Sequence, residues 1–314
     1  MNTGSITTED HQHRYVSSAL TSNRRGSEVT WEWKRFHQTG NDTFTTFTST
    51  DSSGSDFTYR ELNDDDNTTE NRSRNSTSRI RTPSRNNLLI GQYDSGSDAL
   101  YETLLNLTST INIAYAKKFS FDYVTLRGMA YQTIFDSFRI PKPSRATYSK
   151  VLLIQTAMKL NYDYLLILDS DAMMYDFDRD VSLLIPEDKM VMAHLVHDFD
   201  KKQYYNINVG VILFNLHHPM LRHIVRVWNL ACYVQILLGV SDNDQNPIQR
   251  ILQLAGARPL VEGNRHEFAY NNGTFIKHFK RINSKSWTDG NMDNRIADIQ
   301  SMVQEVCSKY SSVC

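Results

Sequence analysis

The sequence predicts an α/β fold, a central sheet flanked by helices over residues 86–314, and three observations predict it. Strand-like and helix-like stretches alternate from Leu88 onward, which is the grammar of βαβ units. Leu165 to Leu168 are four consecutive aliphatic residues, the pattern of a strand covered on both faces in the middle of a parallel sheet. Asp169-Ser170-Asp171 follows at once, at the edge where open α/β sheets bind ligands.

Residues 1–85 are rich in Ser, Thr, Asn, Asp and Arg and poor in aliphatics. Such a composition offers too little apolar surface to offset the entropy of ordering the chain, so a disordered stem or spacer is expected. Trp31, Trp33 and Phe36 then form a small sticky patch outside any core. Order is expected to begin near Asn87, with a strand through Leu88, Leu89 and Ile90 ending at Gly91. A helix over 98–119 and a short strand over 122–126 come next. Pro141 and Pro143 mark a loop, and Ser144 can cap a helix over 145–160 whose apolar side includes Val151, Ile154 and Ala157.

Beyond Asp171, strands are expected over 190–196 and 207–214, the latter with Gly210 where something approaches the backbone closely. Pro219 fits the first turn of a long helix whose apolar stretch Val227 to Val240 reads as a buried face; broken by Asn229 and Gln235, it is too short to span a bilayer. A second helix starts near Asp244-Gln245 and stops at Gly256. Strands over 258–261 and 273–279 and a polar helix over 292–310 close the chain.

With 34 basic against 35 acidic residues, no overall field favours nucleic acid. The three cysteines have no CxxC spacing, so no zinc site is expected; Cys307 and Cys314 either pair in an oxidising compartment or stay free thiols. Met1 to Thr30 lacks the apolar core of a secretory signal. Asn-x-Ser/Thr sequons at Asn41, Asn67, Asn71, Asn75, Asn106 and Asn272 carry little weight in so polar a chain.

The chemistry is expected at the acidic pair. Carboxylates one residue apart repel each other, and at the end of a buried strand a cation relieves them, whereas on a surface the same residues would be a helix cap or solvated turn. Hard oxygen ligands suit Mg²⁺ or Mn²⁺, ions that in turn hold phosphates.

Several segments together resemble one family. They are Asn112-Ile113-Ala114-Tyr115-Ala116 with Phe121-Asp122-Tyr123, Tyr148-Ser149-Lys150, Leu168-Asp169-Ser170-Asp171-Ala172, Asn208-Val209-Gly210, Asp244-Gln245, and Phe275-Ile276-Lys277-His278-Phe279. Their order and spacing resemble the retaining galactosyl, xylosyl and mannosyl transferases of the GT-A fold, which include fungal α-galactosyltransferases and α-mannosyltransferases and plant xyloglucan xylosyltransferases. The resemblance implies a Rossmann-like mixed sheet in a single catalytic domain. It also implies a divalent ion, Mn²⁺ or Mg²⁺, on Asp169, Asp171 and His278. A UDP- or GDP-linked sugar would be the donor, with Tyr115 bordering the base, Ser170 facing the ribose, and Lys150 near the phosphates or the acidic pair. Asn208 and Gly210 would line the donor site, and Asp244 and Gln245 the sugar pocket near the anomeric carbon.

The acceptor implied is a glycan or glycoprotein, with His194, His197, Asp198 and Asp200 placed where one could bind. The Golgi lumen or membrane is implied by the family alone, and the oligomeric state is left open. Two other readings stand beside this one. A haloacid-dehalogenase-like phosphotransferase would use Asp169 as nucleophile, though Met173 stands where that family usually has Thr or Val. A degenerate transferase would bind glycans without turnover.

Overall fold

The structure is a computed structural model that describes residues 29–36, 43–49, 87–94, 99–128, 148–195, 206–238, 245–256, 260–264, 266–279 and 291–311. Its strands are β1 Val29–Arg35, β2 Thr43–Ser49, β3 Leu88–Asp94, β4 Asp122–Gly128, β5 Tyr164–Leu168, β6 Ala172–Met174, β7 Val191–Leu195, β8 Ile207–Asn215, β9 Val261–Asn264 and β10 Ile276–His278. Its helices are α1 Ala99–Phe119, α2 Ser149–Lys159, α3 Leu221–Leu237, α4 Gln245–Leu254 and α5 Asn291–Lys309. Eight strands form one sheet in the order β2-β1-β4-β3-β5-β8-β7-β9, and β10 and β6 form a second, small sheet. β5 lies parallel to β3 and antiparallel to β8, so the main sheet is mixed.

The aliphatic run of β5 is explained by the two cores. Leu165 and Ile167 face the side covered by α2, α3 and α4, while Leu166 and Leu168 face the side covered by α1 and α5. With both faces dry, neither set of alternate positions can be polar. The central strand thus opens at its C-terminal end onto the acidic pair, as expected from its sequence.

The boundary expected near residue 86 does not hold for the first two strands. β1 pairs antiparallel with β4, and β2 extends the sheet beyond it. Trp31 and Trp33, two residues apart and so on one face, are buried in the same core as Leu153 and Ile167, and Phe36 is buried against the other. Trp33 stacks on Tyr162, and Arg35 Nε lies 3.1 Å from Asp122 Oδ2. Local composition misleads here because β1 needs no core of its own; two indoles suffice once β4 presents an edge. Trp33→Ala should therefore destabilise the whole domain by about 3–5 kcal/mol, read by denaturant unfolding. A truly unstructured stem would show no change.

Other differences are smaller. β3 continues through Gly91 to Asp94, and an added Cβ at Gly91 would meet only the methyl ends of Leu153 and Leu165. The strand over Ala172–Met174 was not expected at all. Ser144 and the expected start of α2 lie outside the described residues. Cys307 is disulfide-bonded, Cys314 lies outside the described residues, and Cys232 is buried and in no disulfide. No helix among the described residues is long and apolar enough to cross a membrane.

Candidate metal centre

Asp169-Ser170-Asp171 forms a tight turn between β5 and β6, with the Ala172 N–H donating to the Asp169 carbonyl at 3.0 Å. Side chains from β3 and α1 hold this turn through its backbone. Gln92 Nε2 donates to the carbonyls of Asp169 and Ala172, each at 3.2 Å, and Thr108 Oγ1 donates to the Ser170 carbonyl at 2.8 Å. Asn112 donates to the Ala172 carbonyl and accepts from the Met174 N–H. Tyr123 in turn donates to Gln92 Oε1 at 2.6 Å. All of these residues are buried, so their polar groups are strongly held to these partners. Gln92 and Thr108 escaped the sequence reading, since a lone Gln in a strand and a lone Thr in a helix carry no local signal.

The small sheet delivers the third ligand. β10 pairs antiparallel with β6 so that His278 stands opposite Ala172, and the Phe279 N–H donates to the Asp171 carbonyl at 2.9 Å. His278 Nε2 then lies 3.3 Å from Asp171 Oδ1 and 3.7 Å from Asp169 Oδ2. The space exists because β8 carries glycine at position 210. A Cβ there would sit 2.6 Å from Asp169 Oδ2 and 2.8 Å from His278 Nε2, inside any real contact distance. The Gly210 carbonyl also accepts from the Asp169 N–H at 2.7 Å.

Each carboxylate has its other oxygen occupied. Lys150 Nζ lies 3.2 Å from Asp169 Oδ1, which also accepts from the Tyr93 hydroxyl, and Arg295 Nη1 lies 2.8 Å from Asp171 Oδ2. Lys150 and Arg295 are both buried. Cations therefore hold the outer oxygens, leaving Asp169 Oδ2 and Asp171 Oδ1 turned toward His278. One ligand atom from each of Asp169, Asp171 and His278 lies within 4.8 Å of the others. Two carboxylate oxygens and one imidazole nitrogen are a donor set that fits Mg²⁺ or Mn²⁺, with the outer-shell contacts that metal ligands generally have. Arg295 comes from α5, which read from the sequence only as a polar closing helix.

Burial works against ionising Asp171, but His278 and Arg295 outweigh it and hold its carboxyl below the usual range. Burial likewise works against charging His278, yet Asp171 and then Asp169 raise its pKa above the ordinary imidazole value. An imidazole must be neutral to ligate, so a proton competes with a cation here. Divalent-cation affinity should accordingly rise with pH through the raised His278 range, falling roughly tenfold per unit below it. Calorimetric titration of Mn²⁺ at several pH values measures this, and a flat profile would mean that His278 stays outside the ligand set.

The remaining expected residues divide. Lys150 reaches the acidic pair, one of the two places expected for it. Ser170 is buried at the turn. Asn208 accepts from the Gly210 N–H at 2.8 Å and donates to the Tyr270 hydroxyl at 3.4 Å, and the Tyr270 ring lies 5.7 Å from that of His278 and 5.0 Å from that of His194. Gln245 begins α4 and accepts from the Val209 N–H at 3.4 Å, which brings it to the strand that carries Gly210. Asp244, His197, Asp198 and Asp200 lie outside the described residues.

Tyr115 is a correction. Its ring is wholly buried among Phe119, Phe121, Phe177 and Phe275, and its hydroxyl donates to the Arg179 carbonyl and accepts from the Val181 N–H. With no face open, it cannot border a base and instead ties α1 to the segment after β6. Its position on the inward stripe of α1 matches an ordinary core aromatic.

No family model matches the chain, and no curated protein matches it. Solved structures do. Glycosyltransferase GlyE from Streptococcus pneumoniae TIGR4 is 12% identical over 70% of this chain, with a TM-score of 0.45; the chain spans 63% of that protein's length. A galactosyltransferase, LgtC, solved with donor and acceptor sugar analogs, is 15% identical over 68% of this chain and 95% of its own, with a TM-score of 0.39. The bifunctional glycosyltransferase WbbM is 13% identical over 71% of this chain and 51% of its own, with a TM-score of 0.41. At these values the likeness is loose and does not bear on activity.

Proposed function

We propose that the chain is a metal-dependent glycosyltransferase of the GT-A kind. It moves a hexosyl or pentosyl unit from a UDP- or GDP-linked sugar to a hydroxyl of a glycan or glycoprotein, with retention of configuration, in the Golgi lumen or at its membrane. One observation carries the reading: Asp169, Asp171 and His278, brought from two sheets and far apart in sequence, turn their ligand atoms toward one point at the end of the central strand. With His278 neutral, the carboxylates of Asp169 and Asp171 cancel the charges of Lys150 and Arg295. A divalent ion would thus leave the site with a surplus of positive charge, which suits a diphosphate leaving group.

The ion supplies neutralisation of that leaving group. The chain's residues do the rest: Lys150 and Arg295 orient the carboxylates, Gly210 keeps the approach open, and Asp244 and Gln245 orient the donor sugar. A thermal-shift screen of UDP- and GDP-sugars with Mn²⁺, followed by a hydrolysis assay, tests the proposal. A metal-dependent shift with turnover, lost in Asp169→Ala and Asp171→Ala, is expected. A shift without turnover would leave a glycan-binding module, and a covalent phosphoryl group trapped on Asp169 would make the chain a phosphotransferase.

A further inference from the structure

The helix α3 was expected to bury its apolar residues, and it does so only on one side. Trp228 and Cys232 are buried, but Val227, Leu230, Tyr233 and Val234 are 40–61% exposed, and Leu238 just beyond the helix is 71% exposed. Of the eight large hydrophobic residues exposed among the described residues, seven lie on or next to α3 or at the end of the adjoining α4. A patch this concentrated is not the scatter of single apolar residues that every surface carries.

Charge is segregated with it. The exposed residues of the first half of α3 include Arg222, His223 and Arg226, and α4 exposes Arg250. Neither helix contains a single Asp or Glu, in a chain whose acidic and basic residues as a whole are equal to within one. At 100° per residue, Arg222, Arg226, Leu230 and Tyr233 share one arc of α3, so the cations flank the apolar side chains on the same face. Asp242 and Asp244, in the connection between the helices, lie outside the described residues.

We propose that α3 and α4 form a surface that docks this protein peripherally on an anionic lipid bilayer, with α3 lying in the interface plane. Val227, Leu230 and Val234 would enter the boundary between headgroups and acyl chains while Arg222 and Arg226 meet lipid phosphates, the arrangement of interfacial amphipathic helices. A second copy of the chain fits less well, because a two-fold contact of this face with itself would set cations against cations with no carboxylate on either helix to pair them. The inference is independent of the reaction performed at the metal centre.

Co-sedimentation of the full chain with vesicles tests it, using phosphatidylcholine alone and phosphatidylcholine mixed with phosphatidylserine. Binding to the mixed vesicles and not to phosphatidylcholine alone is expected, weakening as salt rises. Arg222→Gln with Arg226→Gln should lower the partition coefficient more than tenfold, at roughly fivefold per charge. Leu230→Asp with Val234→Asp should abolish binding, while far-UV circular dichroism and the melting temperature stay near wild type because these residues are exposed. The proposal is overturned by failure of the wild type to bind mixed vesicles, or by undiminished binding of both variants. A dimer that Leu230→Asp dissociates, without vesicle binding, would overturn it equally.

Discussion

Gly210→Ala should abolish divalent-cation binding while leaving the sheet folded. The added methyl would press on the imidazole of His278 and sit 2.6 Å from Asp169 Oδ2, so at least one of two ligands must rotate away. His278 is buried and clasped between β6 and the Tyr270 ring, which leaves it little room. Overpacking of this kind costs about 1–3 kcal/mol of stability. Since displaced supporting contacts alone weaken metal sites by about 10–100-fold, displacement of a ligand should reach at least the upper end of that range. Mn²⁺ binding followed by electron paramagnetic resonance, with denaturant unfolding alongside, reads both effects. Gly91→Ala is the comparison: its Cβ would meet a leucine methyl at 3.3 Å, and cation binding should be unaffected. Equal affinity in Gly210→Ala and wild type would show that the convergence at β8 does not hold the ion.

Asp171→Asn should destabilise the protein as well as empty the site. Its carboxylate faces two buried partners, Arg295 at 2.8 Å and His278 at 3.3 Å, and loss of its charge leaves the guanidinium buried beside a neutral amide. Breaking a buried pair from one side typically costs about 3–5 kcal/mol. Arg295→Met removes the stranded cation, so the double variant should recover a large part of that loss, a coupling on the order of 1–3 kcal/mol in a double-mutant cycle. Cation binding should not return in the double variant, because the ligand oxygen is still missing. Strict additivity of the two stability changes would show that the 2.8 Å contact does not couple the residues energetically.

How far the site could be read from the chain depended on the range of the signal. Asp169 and Asp171 were legible because a four-residue aliphatic run and two acids separated by one residue are local features, and burial on both faces is what such a run requires. Gly210 was legible for a similar reason, since glycine inside an aliphatic strand leaves room for something. His278 entered through resemblance, as nothing local distinguishes it from a packed histidine between two phenylalanines. Tyr115 shows the opposite failure: a motif position suggested a ligand contact, while the inward stripe of its own helix already placed it in the core.

The alternation of apolar and polar stretches determined the α/β class, the central strand and the acidic pair at its end, because these follow from periods of two and 3.6 residues within a single segment. Tertiary structure alone decided that Trp31 and Trp33 complete the sheet, that Arg295 reaches Asp171 across 124 residues, and that the apolar side of α3 is left open. Each of these depends on which surface another element happens to present. A strand's hydrogen-bonding edge, a buried carboxylate and an uncovered helix face exist only once the chain has closed on itself, so no stretch of residues read by itself contains them.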